Sequence, residues 1–273
     1  DAYGVYPQHG VFCVADGMGG AEDGEVASQA TVEAVSAMLQ GFPPEQPLAL
    51  EALNAWLSRT LNGVSAWICN RSEERGSRGT GTTFVGVCCD PENPGTMRAL
   101  HAGDSRAYRI RKREIKQITG DHSAAALAGV RDEKKLNPMF RGMVMRAVGV
   151  QDTVELEQTP FEVIEGDFVL LCSDGLTRMV KDKVICEIVR KAQNVETAVQ
   201  ALVDTANKNG GVDNVTVVLI HVGILPSPVT ALSPECSVLC TQANGSEKES
   251  NTAGTSETDT NTDSTRDFLR GPL

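Results

Sequence analysis

Three apolar, strand-like runs in this chain meet an aspartate beside glycine or asparagine. Residues 11–15 (Val-Phe-Cys-Val-Ala) lead into Asp16-Gly17-Met18-Gly19-Gly20, and residues 168–173 lead into Asp174-Gly175. Gly210-Gly211-Val212-Asp213-Asn214 launches the run 215–220. A carboxylate at the edge of a buried strand is costly unless it has a partner or a cation. Hard divalent cations such as Mg²⁺ and Mn²⁺ take oxygen ligands, often one or two carboxylates plus water. Aspartates far apart in sequence but alike in setting therefore point to a shared metal site. One Asp-Gly after a strand is usually just an ordinary turn. The weight lies in the conjunction, which also includes Gly103-Asp104-Ser105-Arg106 between two further strand-like runs.

The elements that must position these residues are legible in outline. Residues 3–6 and 10–15 read as two short strands joined by a turn through Pro7-Gln8-His9. Residues 24–39 carry apolar positions at helical spacing, and 48–69 do so again, with Leu50, Leu53, Leu57, Leu61, Val64 and Ile68 on one face. Trp56 and Trp67 on this second helix read as core cover. Period-two alternation over 82–89, 97–101, 105–110 and 114–118 predicts an antiparallel meander. Residues 121–150 are mixed, with Gly129, Pro138, Gly142 and Gly149 punctuating them, and read as a mobile flap. A strand pair is expected near 153–159 and 167–173, helices near 181–192 and 195–208, and a closing strand over 214–222. This order predicts an α+β fold with helices outside the sheets. From residue 226 the chain turns to Ser, Thr, Asn, Gly and acidic residues, a composition too poor in apolar groups to offset ordering entropy. The expected organisation is a folded domain over 1–225 and a disordered low-complexity tail over 226–273.

Eight segments, taken in order, resemble the motifs of one known family. They are Val14-Ala15-Asp16-Gly17-Met18-Gly19-Gly20, Gly24-Glu25-Val26-Ala27-Ser28, Gly79-Thr80-Gly81-Thr82-Thr83 and His101-Ala102-Gly103-Asp104-Ser105-Arg106-Ala107-Tyr108. Gly120-Asp121-His122-Ser123, Arg146-Ala147-Val148-Gly149, Leu171-Cys172-Ser173-Asp174-Gly175-Leu176 and Gly211-Val212-Asp213-Asn214-Val215-Thr216 follow. Together they resemble the metal-dependent type 2C protein phosphatases (the PPM family), bacterial-type members above all, from residue 1 to about residue 222.

The resemblance implies a four-layer α-β-β-α sandwich with two antiparallel sheets between helical layers. It implies a Ser/Thr protein phosphatase that hydrolyses phosphoserine and phosphothreonine with a water activated by two Mn²⁺ or Mg²⁺ ions, or by three. Asp16 would bridge two ions, with the Gly17 carbonyl helping to hold one, and Asp174 and Asp213 would complete the other. Asp1 matches an acidic residue near the ion pair. Asp104 matches the position that binds a third ion together with Asp174, and Asn214 would orient water or substrate. Such a mechanism needs no covalent phosphoenzyme, so Cys13, Cys172, Ser105 and Ser173 are read as packing or turn residues. Met18 stands where eukaryotic-type members carry histidine, a candidate general acid; bacterial-type members also have Met there but often His at the position of Ala21. His101 and His221 read as structural, and His122 opens the flap. Residue 1 is Asp rather than Met, so a fragment or processed form is expected. In the family an Arg-x-x-Asn-Glu-Asp segment precedes the first strand, and its phosphate-binding arginine would lie upstream.

Composition bounds the alternatives. A formal net charge of −11 argues against nucleic acid or an anionic membrane as partner. With 41% hydrophobic but 4% aromatic residues, the core must be built from Val, Leu, Ile and Ala. The eight cysteines do not read as a disulfide framework, because Cys13, Cys88, Cys89 and Cys172 lie in apolar runs. Cys236 and Cys240 lack the companions of a zinc site. The expectation is a monomer in a reducing cytoplasm, acting on phosphorylated proteins and opposing a Ser/Thr kinase. A pseudophosphatase that keeps the fold as a regulatory binding domain is the alternative. A different binuclear phosphoesterase is a third reading, weakened by the lack of His-rich motifs.

Overall fold

Side chains alternate between two different hydrophobic layers along the central strands of both sheets. In β2 (Val11–Ala15), Phe12 and Val14 face one layer while Val11, Cys13 and Ala15 face another, and all five residues are buried. A strand covered on both faces reads as a continuous apolar run even though its side chains still alternate. The computed structural model describes residues 1–43, 45–77, 79–130 and 135–223, so the expected tail over 226–273, with Cys236 and Cys240, lies outside the described residues.

β1 (Ala2–Tyr6), β2, β5 (Phe84–Cys89), β6 (Thr96–Ala102) and β9 (Glu157–Glu162) form a five-stranded antiparallel sheet in the order β1-β2-β5-β6-β9. β7 (Arg106–Arg111), β8 (Glu114–Gln117), β10 (Phe168–Cys172) and β11 (Val217–His221) form the second, in the order β11-β10-β7-β8. Between the sheets pack Phe12, Val14, Val85 and Val87 from the first and Ala107, Val169, Leu171, Val218 and Ile220 from the second. The outer face of the first sheet is covered by α1 (Ala21–Gln40) and α2 (Leu50–Arg75), through residues such as Val35, Leu57, Leu61 and Ile68. The outer face of the second is covered by α4 (Asp174–Met179), α5 (Asp182–Lys191) and α6 (Val195–Lys208), through Leu176, Ile185, Val189, Val199 and Leu202. The layers are therefore α-β-β-α, the sandwich that the resemblance implies. Cys88 joins the helix-side core while Cys89 packs against the inter-sheet core, as adjacent strand residues must. Trp56 and Trp67 pack on the helix-side core as expected.

The structure corrects the sequence reading in several places. The expected meander is split, because β5 and β6 lie in one sheet and β7 and β8 in the other. The chain crosses at Gly103, whose φ of 125° is a conformation that an L side chain rarely adopts. The strands near 153–159 and 167–173 are not a pair either. β9 is an edge strand bonded to β6, which tolerates its Pro160, while β10 is central in the other sheet. Between them Asp167, 1% exposed, turns the chain by accepting the Ile164 N–H at 2.9 Å and the Arg111 guanidinium at 2.8 and 2.7 Å. The helix α4 was not expected, and the last strand begins at Val217 rather than 214. A short ribbon of β3 (Gly17–Met18) and β4 (Gly81–Thr82) ties the Asp16 turn to the 79–83 segment. In the flap, α3 (Ala124–Leu127) is capped by Ser123, and the backbone bonds Ala124 N–H to Met143 O and Met145 N–H to His122 O close its base.

Candidate functional site

The strand ends bring the aspartates together. Asp16 follows β2, and the pairing of Ala2 with Ala15 places Asp1 across from it, one step further along the same register. Asp1 also reaches the second sheet, accepting the Thr216 hydroxyl at 2.9 Å. The Asp16 main chain is fixed by its N–H to Thr83 Oγ1 at 3.1 Å. Its carbonyl accepts from the Thr82 hydroxyl at 2.9 Å and the Thr83 N–H at 2.8 Å. A Cβ at Gly17 would run into the carbonyl of Gly24, so glycine is required where the Asp16 turn presses on α1.

Asp104 sits in the β6–β7 crossing. Gly103 packs directly on Thr83, and Thr83 Oγ1 lies 2.7 Å from Ser105 Oγ, so the Asp104 turn is fastened to the residue that fixes Asp16. Asp174 is the first residue of α4, at the end of β10. Asp213 lies in the loop before β11, where its Oδ1 accepts the Asn214 N–H at 2.9 Å. That loop is stitched to β10 by Ser173, whose Oγ accepts the Thr216 N–H at 3.0 Å and donates to the Asn214 carbonyl at 3.3 Å.

The carboxylates of Asp16, Asp104, Asp174 and Asp213 lie close enough to act on one another. Burial, and after it the charges of Asp174, Asp213 and Asp104, pushes the Asp16 carboxyl up to about 8. Burial and then Asp104 push Asp174 up to about 6, against the pull of Arg178. Asp104 is raised by its burial, and Arg178 is the largest influence in the other direction. Asp174 Oδ1 is buried without any hydrogen-bond partner, a state that a native protein rarely leaves uncompensated. An all-oxygen donor set that repels itself and holds an orphaned carboxylate oxygen suits a hard divalent cation.

Arg178 is the residue that sequence reasoning missed. It follows Asp174 by four positions on α4, and its Nη2 lies 2.5 Å from Asp174 Oδ2 and its Nη1 4.0 Å from Asp213 Oδ2. The spacing was visible in the sequence, but it becomes a signal only once residues 174–179 are known to be helical.

The histidines stand as structural groups. His101 is buried and stacked on His122 with centroids 4.4 Å apart. His101 Nε2 lies 2.6 Å from the Gly120 carbonyl, and must donate to it. His122 Nδ1 accepts the Gly103 N–H at 3.2 Å, which puts its proton on Nε2, facing Glu157 Oε2 at 3.1 Å. A cation on that Nε2 would have to displace the proton while the Gly103 N–H still occupied Nδ1. The His101–His122–Glu157 trio is thus better matched to a hydrogen-bonded buttress for the Gly103 turn than to a metal. A cavity of about 360 Å³ lies at the other end of the β1–β2 hairpin, lined by His9, Phe42, Pro47 and Leu53 among others, and by none of the clustered aspartates.

Comparison with known proteins gives the family. The family model for protein phosphatase 2C matches residues 1–215, and the chain belongs to this family. It is 32% identical over 218 residues to the serine/threonine phosphatase stp of Listeria monocytogenes, covering 77% of this chain and 84% of that protein. Among solved structures it is similar to PppA, a key regulatory component of T6SS in Pseudomonas aeruginosa, with a TM-score of 0.71 and 30% identity, covering 80% of this chain and 88% of that one. The catalytic domain of the serine/threonine protein phosphatase PstP, solved in complex with two manganese ions, aligns with a TM-score of 0.63 and 33% identity, covering 77% and 86%. The non-catalytic alternative is not favoured. Among the described residues, no helix is long and apolar enough to cross a membrane.

Proposed function

We propose that Asp16, Asp174 and Asp213, with Asp1, Asp104 and the Gly17 carbonyl around them, hold Mn²⁺ or Mg²⁺, and that the site hydrolyses phosphoserine and phosphothreonine in proteins. The enzyme class is that of its family, a metal-dependent protein-serine/threonine phosphatase. The observation that carries the site assignment is the self-repelling carboxylate cluster, with its buried and unpartnered Asp174 oxygen. Divalent ions held there would supply Lewis acidity, lowering the pKa of a water and offsetting charge on the phosphoryl oxygens.

The chain's own contribution is placement. Thr82 and Thr83 fix the Asp16 main chain, and Ser173 ties the end of β10 to the loop that carries Asp213. The Asn214 N–H orients the Asp213 carboxylate, leaving the Asn214 side chain to direct water or substrate. No side chain here is suited to covalent attack. Burial pushes the thiols of Cys13 and Cys172 up to about 12, and the Ser173 hydroxyl is engaged with backbone groups.

The working unit is residues 1–225, acting as a monomer in the reducing cytoplasm against the product of a Ser/Thr kinase. The buried thiols at Cys13, Cys88 and Cys172 and the net charge of −11 support the compartment and the lack of an anionic polymer as partner. The test is phosphate release from a phosphothreonine peptide with and without Mn²⁺. Asp174→Asn should lower turnover by more than the roughly 10–100-fold typical of changes one shell out from a metal, with unchanged circular dichroism. Undiminished metal-dependent turnover in that variant would remove Asp174 from the site.

A further inference from the structure

Arg178 stands among the aspartates as a cation of the protein's own. Its guanidinium is within 2.5 Å of Asp174 and 4.0 Å of Asp213, and it is the main influence opposing the effect of burial on Asp104. The side chain is 39% exposed, which leaves it a path toward solvent. Its Nη2 also lies 3.5 Å from where a Cβ on Gly142 would stand, so the guanidinium faces the flap on its other side. Two cations cannot share one set of carboxylate lone pairs at close range without repelling each other. A guanidinium on Asp174 Oδ2 and a divalent ion on the unpartnered Oδ1 of the same carboxylate would therefore repel each other across it.

We propose that Arg178 is an intramolecular counter-cation of the carboxylate site, neutralising Asp174 and Asp213 while no divalent ion is bound and leaving them as an ion enters. This rests on the metal reading above and adds to it a residue that sets ion affinity. The one side chain has two opposite effects. It protects the ion-free protein from carboxylate repulsion, and its positive charge opposes an incoming ion at the shared carboxylate. Binding of the ion and pairing of Arg178 are linked, so removing the competitor strengthens binding by the coupling between them, typically about 5–150-fold for linked equilibria.

The experiment compares wild type, Arg178→Gln and Arg178→Lys by calorimetric titration with Mn²⁺ and by thermal melting in EDTA and in saturating Mn²⁺. Arg178→Gln should bind Mn²⁺ about tenfold more tightly or better, melt below wild type in EDTA, and gain more from Mn²⁺ than wild type does. Arg178→Lys keeps the charge without the planar fork and should fall between the two. Equal or weaker Mn²⁺ binding by Arg178→Gln overturns the proposal while the metal reading stands. If neither wild type nor variant binds Mn²⁺, the metal reading falls and this proposal falls with it. Should Arg178→Gln fold poorly, the Mn²⁺ affinity of Arg178→Lys decides, and a value at or below that of wild type refutes the competition.

Discussion

Replacing Asp16 by asparagine should make the ion-free protein more stable, although it removes the centre of the proposed site. In that state burial and the neighbouring aspartates raise Asp16 from an ordinary value of 3.8 to about 8. The unfolded chain keeps the ordinary value. Between about pH 4 and pH 8 the folded protein therefore binds the extra proton, and stability falls as pH rises through that window. At about 1.4 kcal/mol per pK unit, the penalty near pH 7.5 is on the order of 4–5 kcal/mol. Asp174 and Asp104 share the same repulsion, and the amide that replaces the carboxyl is itself costly to bury. A gain of about 2 kcal/mol remains, which for a domain of this size raises Tm by roughly 4–8 °C. Thermal melting in EDTA at pH 5, 6.5 and 8 reads this directly. The gain should grow with pH, and the variant should lose the rise in Tm that Mn²⁺ gives wild type. A variant that melts at or below wild type in EDTA at pH 8 would refute the reasoning, because it would mean that Asp16 carries no electrostatic penalty there.

Other substitutions probe the supports of the site. Asp167→Ala leaves the Arg111 guanidinium and the Ile164 N–H without their acceptor, and urea denaturation should show a loss of about 2–4 kcal/mol with activity per folded molecule kept. In Gly175→Ala the new methyl meets the Asn214 carbonyl, so the Asp213 loop must shift. About 1–3 kcal/mol of stability and part of the Mn²⁺ affinity should go together, by melting and calorimetry on one sample. Met18 lies two residues past Asp16 in β3. Met18→His should raise turnover of an alkyl phosphate relative to an aryl phosphate, toward the roughly 10²–10⁴-fold reach of general-acid help. An unchanged alkyl-to-aryl ratio would show that no acid is missing at that position.

The parts of the fold and site legible in sequence were those encoded locally. The 11–15 and 168–172 runs announce buried strands, and an Asp-Gly at the end of each is an anomaly that a cation resolves. Helices α2 and α6 carry their apolar faces over several turns, enough for periodicity to register. What stayed hidden depends on partners distant in sequence. β9 and β10 look like neighbours until Asp167, which falls at the start of the expected 167–173 strand, proves to be the buried pivot that sends the chain to the other sheet. Gly103 hides a second crossing in the same way, since a glycine before Asp-Ser reads as a hairpin until its φ is seen. Helix α4 has six residues, too few to show a period, and Arg178 was lost with it.

The central claim is that the aspartates at the strand ends bind the divalent ions of a phosphatase. Anomalous diffraction at the manganese edge, from crystals of the protein grown with Mn²⁺, tests this most directly. The account predicts strong peaks against the carboxylates of Asp16, Asp174 and Asp213, with Arg178 turned away from Asp174. Manganese ordered instead at His101, His122 and Glu157, or absent from the aspartates at saturating Mn²⁺, would contradict it.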